Sequence, residues 1–344
     1  MSEQQRTEIG SLGEFGLIDR IKEKTKAVQE GLIKGIGDDA AVIEKTGDIY
    51  SLLSTDMLLE GVHFDLSYMP LRHLGFKAIA VNVSDIAAMN GVPKQVTVGL
   101  ALSNRFSVEA VEAIYEGINA AAKEYNLTVV GGDTTSSASG LVISISILGE
   151  VAKHKLALRS TANDGDVLCV TGDLGAAFMG LQVLEREKQV YLSNPDMQPQ
   201  INEYEYIVSR QLKPKARMDI IHELGDLNIV PTAMIDISDG LASDVFHLCK
   251  QSGLGVSIYE EKLPIYEQTF ETAAEFKIDP NTCALNGGED YELLFTIKQS
   301  DYDKIEKHSD IQSIGYMHAA DKGRVMVTRN QIVVELTAQG WVHF

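Results

Sequence analysis

The fold class of this chain is decided by the stretch LGFKAIAVNVSDIAAMNGVPKQVTVGLAL, residues Leu74–Leu102. Its first part, through Asn90, is rich in alanine and places apolar residues at helical spacing, which predicts a helix. Its last part alternates Val96, Val98 and Leu100 with smaller or polar residues, as a strand with one buried face does. A helix followed directly by such a strand indicates an α/β fold.

The alternation of helices and strands continues on both sides of this stretch. On its N-terminal side, Tyr50–Ser54 is predicted to form a short buried strand that runs into Thr55 and Asp56. On its C-terminal side, Ser107 is predicted to cap an amphipathic helix that begins at Val108. Further strands are predicted at Thr128–Val130, stopping at Gly131, and at Ile143–Ile147, Val167–Val170, Ile235–Ile237 and Leu293–Ile297, and further helices at Gly175–Arg186 and Leu241–Lys250.

The regular pattern is interrupted near the middle of the chain. The segment Val151–Asp166 is largely polar, and a new strand pattern begins after it. A length of 344 residues suits two domains of ordinary size. We therefore expect an N-terminal domain at 1–152 and a C-terminal domain at 153–344.

The composition argues against several classes of partner. Asp and Glu number 49 against 30 Lys and Arg, which gives a formal net charge of -19. Nucleic acid and anionic membrane surfaces are bound by clustered basic residues, so neither is an expected partner. The three cysteines, Cys169, Cys249 and Cys283, have no CxxC spacing, and neither a signal-peptide core nor an apolar run of about 18 residues is present, which predicts a cytoplasmic protein.

Acidic motifs recur at predicted strand ends and turns, where α/β folds place ligands. Each alone is typical of a turn or a helix cap, because Asp, Ser and Gly favour both. Together they predict convergent carboxylates, which repel one another unless cations neutralise them. Oxygen donors favour Mg²⁺, Mn²⁺ or Ca²⁺; calcium storage is the alternative, but no EF-hand loop is present. The motifs are Gly35–Asp39, Ser54–Asp56, Ser84-Asp85, Gly131–Asp133, Asp236–Gly240 and Gly287–Asp290. Ser84-Asp85 and Ser238-Asp239 are each predicted to open a helix.

The usual nucleotide-binding motifs are absent from the sequence. It has no G-x-x-x-x-G-K-[ST] loop, no protein-kinase H-R-D or D-F-G set and no strand-linked G-x-G-x-x-G. An enzyme that uses ATP without these motifs needs another source of positive charge, and Mg²⁺ held by aspartates supplies it. The sequence therefore predicts a magnesium-dependent phosphoryl-transfer enzyme.

In their order along the chain, these motifs resemble the thiamine-monophosphate kinase family, which belongs with aminoimidazole ribonucleotide synthetase and selenophosphate synthetase in one superfamily. The resemblance runs from Gly13 to Phe344. Its most specific stretches are GIGDDAAVI (Gly35–Ile43), STDMLLEGVHF (Ser54–Phe64), KAIAVNVSDIAAMNGVP (Lys77–Pro93), VVGGDTT (Val129–Thr135), IDISDGLASD (Ile235–Asp244) and NGGEDYELLF (Asn286–Phe295).

The resemblance implies a reaction, a fold and a set of partners. The reaction is in-line, Mg²⁺-assisted transfer of the γ-phosphoryl group of ATP to thiamine monophosphate, which gives thiamine diphosphate in the last step of its biosynthesis. The fold is of the α/β (α+β) class and has the two-domain architecture of aminoimidazole ribonucleotide synthetase. Its N-terminal domain forms a β-barrel with a second copy in a homodimer, and the C-terminal α/β domain packs beside it, with the active site in the cleft.

The resemblance also implies roles for individual residues. Asp56, Asp133 and Asp236 are expected at the catalytic centre. The contacts to thiamine monophosphate are expected from His63, Glu289 and Trp341, although each could instead have a packing or turn role. Trp341 is the only tryptophan, and an aromatic face suits a cationic thiazolium ring. The expected ATP contacts are Gly132, Asp133, Arg159 and Ser238, and the expected magnesium ligands are Asp39, Ser54, Thr55, Asp56, Asp85, Asp133, Asp236 and Asp239.

Alternatives within and outside the superfamily remain at this point. A selenophosphate synthetase would need a reactive residue near the N-terminus, where the first cysteine is Cys169, and a hydrogenase-maturation relative would need a C-terminal cysteine, where this chain ends in WVHF. Aminoimidazole ribonucleotide synthetase is the closest enzymatic rival. A catalytically silent protein that binds metal or nucleotide is the alternative from another class. Glu185–Tyr206 is the segment least typical of the family, and no role is assigned to it.

Overall fold

A computed structural model describes residues 8–25 and 30–339 of the chain. Trp341 lies outside these residues, so its predicted role stays a prediction. The described residues form two sheets, one from each half of the chain. The first sheet contains β1 (Leu32–Lys34), β2 (Ala41–Glu44), β3 (Ile49–Leu59), β4 (Val92–Leu102), β5 (Thr128–Ser136) and β6 (Val142–Ala152). The second contains β7 (Val167–Thr171), β8 (Ala233–Asp236), β9 (Leu254–Tyr259), β10 (Leu293–Ile297), β11 (Ile311–Ala319), β12 (Arg324–Val327) and β13 (Val333–Glu335).

Helices cover the two sheets and connect their strands. The first half contributes α1 (Gly13–Lys24), α2 (Leu71–Ala88) and α3 (Val108–Glu124). The predicted cap of α3 is confirmed, because the Ser107 hydroxyl accepts a hydrogen bond from the Ala110 N–H at 3.3 Å. The second half contributes α4 (Ala176–Ser193), α5 (Glu205–Leu212), α6 (Met218–Asp226), α7 (Leu241–Ser252), α8 (Glu267–Glu275) and α9 (Pro280–Asn286).

The first sheet has the strand order β1-β2-β3-β6-β4-β5. Its pairs are antiparallel except β4 and β5, which are parallel and are joined through α3. Alternation along β6 confirms the predicted half-buried strand: Ile143, Ile145 and Ile147 are buried under the helices, while Ser144 and Ser146 point to the other face. This pattern places α2 and α3 on one face of the sheet, and no helix of residues 8–25 or 30–339 covers the exposed apolar side chains of the other face.

The second sheet has the order β13-β12-β9-β11-β7-β10-β8. Its central strands β7, β8 and β10 are buried on both faces, since α7 packs on one face and the first half of the chain with α4–α6 packs on the other. One hydrophobic cluster therefore continues from the first sheet into the second. The predicted strand at Leu293–Ile297 is confirmed residue for residue.

Three predictions are wrong: two strands in their extent and one helix in its start. β3 is a long strand rather than a short buried one, because it pairs with both β2 and β6 and carries Asp56 within it. β5 does not stop at Gly131; it runs to Ser136, because Gly132 lets the strand lie against β4, where a Cβ would meet the Val98 carbonyl oxygen at 1.9 Å. Ser84-Asp85 does not open a helix and instead lies inside α2.

The first sheet is open in the single chain, so the predicted dimeric barrel remains a prediction. The strands β1 and β5 form its two edges and do not pair with each other. The barrel was predicted to form with a second copy, and this structure describes one chain. Within the described residues, the longest helices are too short or too polar to cross a membrane.

Candidate active site

One face of helix α2 runs along the junction of the two sheets. Lys77, Val81, Ser84 and Asp85 occupy positions i, i+4, i+7 and i+8, which share one side of an α-helix. α2 is almost wholly buried, because it packs against β3, β4 and β6 of the first sheet and against β8 of the second. Three polar side chains are therefore held on a rigid element between the two halves of the chain.

Three carboxylates meet beside this helix face. Asp39 precedes β2, Asp85 lies on α2 and Asp236 ends β8, and one carboxylate oxygen of each lies within 4.8 Å of the others. The Ser54 hydroxyl on β3 donates a hydrogen bond to Asp85 Oδ2 at 2.5 Å, and the Ser84 hydroxyl donates one to Asp236 Oδ2 at 2.5 Å. We call Asp39, Asp85 and Asp236 the aspartate cluster.

Burial and mutual repulsion disfavour the ionised form of the aspartate cluster. Burial, together with the charges of Asp56 and Asp236, raises the pKa of Asp85 well above its ordinary value. Burial first and the charge of Asp39 second raise the pKa of Asp236 to about 7 and that of nearby Asp56 to about 6. Carboxylates that repel one another in this way are stabilised by a bound cation.

Arg159 supplies a fixed positive charge beside the aspartate cluster. Its guanidinium donates two hydrogen bonds to Asp39, from Nε to Oδ2 at 3.0 Å and from Nη2 to Oδ1 at 2.5 Å. Its backbone N–H also donates to Asp38 Oδ1 at 3.3 Å. One guanidinium against three carboxylates leaves a negative charge, and the available ligand atoms are all oxygens. The residues present therefore fit a hard divalent cation such as Mg²⁺.

A cavity of about 1270 Å³ opens beside the aspartate cluster and is lined by both halves of the chain. Aromatic side chains on its wall include Tyr68 and Phe178. Its size suits a nucleotide together with a second small molecule. Eleven of the residues predicted for the site line this cavity: Asp39, Ser54, Thr55, Asp56, His63, Asp85, Arg159, Asp236, Ser238, Asp239 and Glu289.

Two of these residues also make contacts within the first sheet and the turn that follows β3. The Thr55 hydroxyl donates to the Ile145 carbonyl at 2.9 Å and lies 3.1 Å from the Ser146 hydroxyl. The imidazole Nδ1 of His63 accepts a hydrogen bond from the Leu59 N–H at 3.1 Å. A neutral His63 therefore carries its proton on Nε2.

Gly132 and Asp133 lie apart from the other predicted residues. Both are exposed on β5, the edge strand of the first sheet, and neither lines the cavity. Asp133 pairs with Gly99, and the same row of the sheet leads through Ser144 to Met57, next to Asp56. Three strand spacings separate Asp133 from this position, roughly 14 Å. Within one chain, Asp133 is therefore not brought to the aspartate cluster.

Sequence reasoning missed two residues of α2 that hold the predicted ones. Ser84 orients Asp236, and the buried Lys77 Nζ donates a hydrogen bond to Glu289 Oε2 at 2.6 Å. Ser84 belongs to the Ser84-Asp85 motif and Lys77 begins the stretch Lys77–Pro93, but neither was given a role of its own. The signal that could have found them is the helical spacing, because it places both on the side of α2 that carries Asp85.

Sequence reasoning predicted helix α4 at Gly175–Arg186 but gave no site role to Glu185 and Lys188, which line the cavity. The Lys188 ammonium donates to Asp65 Oδ2 at 2.6 Å, and the Tyr68 hydroxyl donates to Glu185 Oε1 at 2.9 Å. These contacts join α4 of the second half to the turn that carries His63. The start of the segment without an assigned role, Glu185–Tyr206, therefore forms part of the cavity wall.

Comparisons with known proteins agree with this architecture. Residues 37–151 match the model of the AIR synthase related protein, N-terminal domain, and residues 163–328 match that of the AIR synthase related protein, C-terminal domain. The chain is 34% identical over 342 residues to the thiamine-monophosphate kinase of Bacillus subtilis (strain 168), covering 97% of this chain and 100% of the relative. It is 36% identical over 334 residues to the thiamine-monophosphate kinase of Aquifex aeolicus (strain VF5), covering 97% and 98%.

A solved structure extends the similarity to three dimensions. The structure of AaThiL complexed with AMPPCP and TMP superimposes with a TM-score of 0.84 at 33% identity and covers 99% of this chain and 100% of that one. The predicted resemblance is thereby confirmed on sequence, domain composition and fold. The chain belongs to the thiamine-monophosphate kinase family of the AIR synthase related proteins.

Proposed function

We propose that this protein transfers the γ-phosphoryl group of ATP to thiamine monophosphate and so forms thiamine diphosphate, the last step of that biosynthesis. The observation that carries the proposal is the aspartate cluster, buried at the wall of a cavity that both halves of the chain line. The thiamine-monophosphate kinases to which the chain is similar, and the AaThiL complex with AMPPCP and TMP, support the choice of substrates.

The chemistry asks little of the protein as an acid or a base. A phosphate oxygen of thiamine monophosphate, already ionised near pH 7, forms the new bond to the γ-phosphorus. The bond to the β–γ bridging oxygen breaks, and its electron pair leaves with ADP. The obstacle is repulsion between two polyanions, so the protein must position them and neutralise their charge. A site rich in aspartate with Arg159 beside it fits this requirement.

The oxygen ligands for Mg²⁺ would come from the aspartate cluster and its neighbours. When bound, Mg²⁺ supplies positive charge that offsets the phosphate oxygens. Ser54 and Ser84 orient Asp85 and Asp236 by hydrogen bonds, which keeps their remaining oxygens directed at one place. Burial keeps water away from these carboxylates and so strengthens their interaction with a cation. Asp56 and Asp239 line the same cavity, and Ser54, Thr55 and Asp133 complete the proposed ligand set.

We place the acceptor near Glu289 and His63, with Trp341 as the third contact. Glu289 and His63 line the cavity together with Tyr68 and Phe178, whose rings offer apolar surface to a pyrimidine or thiazolium ring. Ser238 and Arg159 are the proposed ATP contacts on this wall, together with Gly132 and Asp133. We also propose a domain boundary near residue 152, which lies between the two matched segments. A cytoplasmic location is proposed as well.

A homodimer is supported by the face of the first sheet that carries no helix. Leu53 and Met57 on β3 and Leu148 on β6 share this face and are 41%, 54% and 43% exposed in the single chain. Apolar side chains on an uncovered sheet face favour packing against a second copy. The unpaired edges of β1 and β5 could pair in a barrel, and such an assembly would change the surroundings of Gly132 and Asp133.

A direct assay tests the proposed function. The purified protein is incubated with ATP, Mg²⁺ and thiamine monophosphate, and formation of thiamine diphosphate is measured, with aminoimidazole-pathway substrates as the comparison. We expect turnover of thiamine monophosphate alone, and we expect Asp56→Asn and Asp133→Asn to abolish it while the far-UV circular dichroism is unchanged. Turnover of only the aminoimidazole substrates, or near-normal turnover in both variants, would contradict the proposal.

A further inference from the structure

A buried ammonium group faces the carboxylate proposed to contact thiamine monophosphate. Lys77 on α2 is 0% exposed, and its Nζ donates to Glu289 Oε2 at 2.6 Å and to the Gln211 carbonyl at 3.4 Å. The two residues of the pair come from different halves of the chain. Because a buried ammonium without a counter-ion is strongly unfavourable, the Glu289 carboxylate serves as the partner that Lys77 needs.

The same carboxylate oxygen accepts a second hydrogen bond. The side-chain amide Nε2 of Gln211 on α5 donates to Glu289 Oε2 at 2.9 Å. Two donors on one oxygen fix the rotation of the carboxylate. Glu289 lines the cavity and its side chain is 27% exposed, so its other oxygen, Oε1, is left as an acceptor for a ligand N–H group or a cationic ring.

The backbone at Glu289 is held as firmly as its side chain. Glu289 has a φ of 57° and Tyr291 a φ of 52°, both in the left-handed region that residues other than glycine seldom occupy. The Glu289 N–H donates to the Ser238 carbonyl at 2.7 Å, and the Tyr291 N–H donates to the Ile237 carbonyl at 2.9 Å. Strained backbone of this kind persists where the surroundings fix it, which is typical of functional loops.

Three cations that line the cavity contact carboxylates other than Glu289. Arg159 bonds Asp39, Lys188 bonds Asp65 and Lys250 bonds Asp19. Lys77, in contrast, directly contacts Glu289. From these contacts we propose that Lys77 is a positioning residue for the acceptor substrate: it holds the Glu289 carboxylate turned so that Oε1 faces thiamine monophosphate. This inference rests on the proposed function.

The first test replaces Lys77 by an apolar side chain of similar length. In Lys77→Met we expect the KM for thiamine monophosphate to rise roughly tenfold or more, because a charge-assisted hydrogen bond no longer positions Glu289. The KM for ATP should change less than about twofold, since the aspartate cluster is untouched. The matched control is Lys215→Met, which removes an exposed ion pair with Glu124 between the same two halves and should change neither KM.

A double-mutant cycle separates positioning from general stability. If Lys77 acts through Glu289, Lys77→Met and the double variant Lys77→Met/Glu289→Gln should both bind thiamine monophosphate about as weakly as Glu289→Gln alone. The coupling free energy between the two positions should then equal the free-energy change caused by either single substitution. Additive effects, or equal rises in both KM values in Lys77→Met, would overturn the proposal.

Two further measurements keep the outcome decisive. If Lys77→Met does not fold, Gln211→Leu removes the second donor to the same oxygen, and it should raise the KM for thiamine monophosphate by roughly threefold and leave that for ATP unchanged. If the ratio of the KM for thiamine monophosphate to the KM for ATP is unchanged in Gln211→Leu, the inference is overturned. An inactive wild-type protein would instead contradict the proposed function, whereas an active wild type with an unaltered Lys77→Met variant would contradict only the role of Lys77.

Discussion

Two buried acidic groups in this molecule differ in what neutralises them. In the aspartate cluster, three carboxylates lie beside one guanidinium, that of Arg159. In the second half of the chain, each carboxylate oxygen of Glu292 accepts a hydrogen bond from an arginine, Arg210 Nη2 at 2.8 Å and Arg217 Nη1 at 2.6 Å. We call Glu292, Arg210 and Arg217 the arginine-balanced cluster.

The difference separates a structural ion cluster from a ligand site. Glu292 is 1% exposed, yet two guanidinium groups and the Thr171 hydroxyl, at 2.5 Å, satisfy its oxygens. It needs no ligand. Asp39 and Asp236 of the aspartate cluster are also buried, but burial and the charge of Asp39 raise the pKa of Asp236 to about 7. A buried acidic group with too few protein cations therefore indicates where an added cation binds in this fold.

The largest expected effect comes from removing one charge of the aspartate cluster. Asp236→Asn should lower kcat/KM by roughly 10³-fold, because a proposed metal ligand is lost. At pH 8 without Mg²⁺ it should raise the melting temperature by about 2 °C, because repulsion is relieved. Enzyme kinetics and thermal unfolding measure the two effects. The control is the exposed Asp196→Asn, which should alter neither. A less stable Asp236→Asn variant would show that the cluster is balanced in the same way as Glu292.

The same kind of change in the arginine-balanced cluster should have the opposite sign. Glu292→Gln leaves Arg210 and Arg217 without their buried counter-charge, so the free energy of unfolding should fall by roughly 3–5 kcal/mol. Urea denaturation followed by circular dichroism measures the change. Glu116→Gln on α3, which breaks an exposed pair with Arg72, is the control and should cost less than about 0.5 kcal/mol. A loss at Glu292 no larger than the control would remove the contrast between the two clusters.

The smallest expected effect is the dependence of magnesium binding on pH. The raised pKa values of Asp56 (about 6) and Asp236 (about 7) mean that the stability these groups contribute is complete below about pH 4 and is lost as the pH rises through 6 to 7. Mg²⁺ competes with the same protons. Saturating MgCl₂ should therefore raise the melting temperature by about 3 °C at pH 8 and by less than about 1 °C at pH 5.

Two comparisons sharpen the magnesium experiment. NaCl at matched ionic strength controls for screening and should give no shift at either pH. Asp236→Asn should lose most of the shift at pH 8. A shift of equal size at pH 5 and pH 8 would mean that Mg²⁺ binds away from the aspartate cluster.

The elements that the sequence predicts well are those whose pattern is local. α3 follows from its apolar stripe and Ser107, and β6 follows from the alternation of Ile143 with serines. The lengths of β3 and β5 depend on pairing with strands distant in sequence. The local pattern therefore predicts strands that end too early. Gly132 belongs to a motif that is typical of a turn, but in the structure it lies within a strand and allows β5 to approach β4 closely.

In the candidate site, too, residues in local motifs were predicted, and residues defined by long-range contacts were not. The carboxylates were found because they lie in motifs, and eleven of the predicted residues line one cavity. Lys77 begins the stretch Lys77–Pro93 but was given no role, because its partner Glu289 is 212 positions away in the sequence. Asp133 was expected beside the other aspartates, but its strand places it at the edge of the sheet, and a fold of one chain does not bring it closer.

Helix α2 also fixes the distance between Lys77 and Asp85. Lys77 and Asp85 are eight residues apart on one face, which at 1.5 Å per residue sets about 12 Å between the group that holds Glu289 and the carboxylate beside the cation site. An insertion of one residue between them would rotate one group by about 100° relative to the other. If Glu289 and Asp85 have the proposed roles, helix α2 fixes the distance between the acceptor contact and the cation site, and acceptors of a different length should react more slowly.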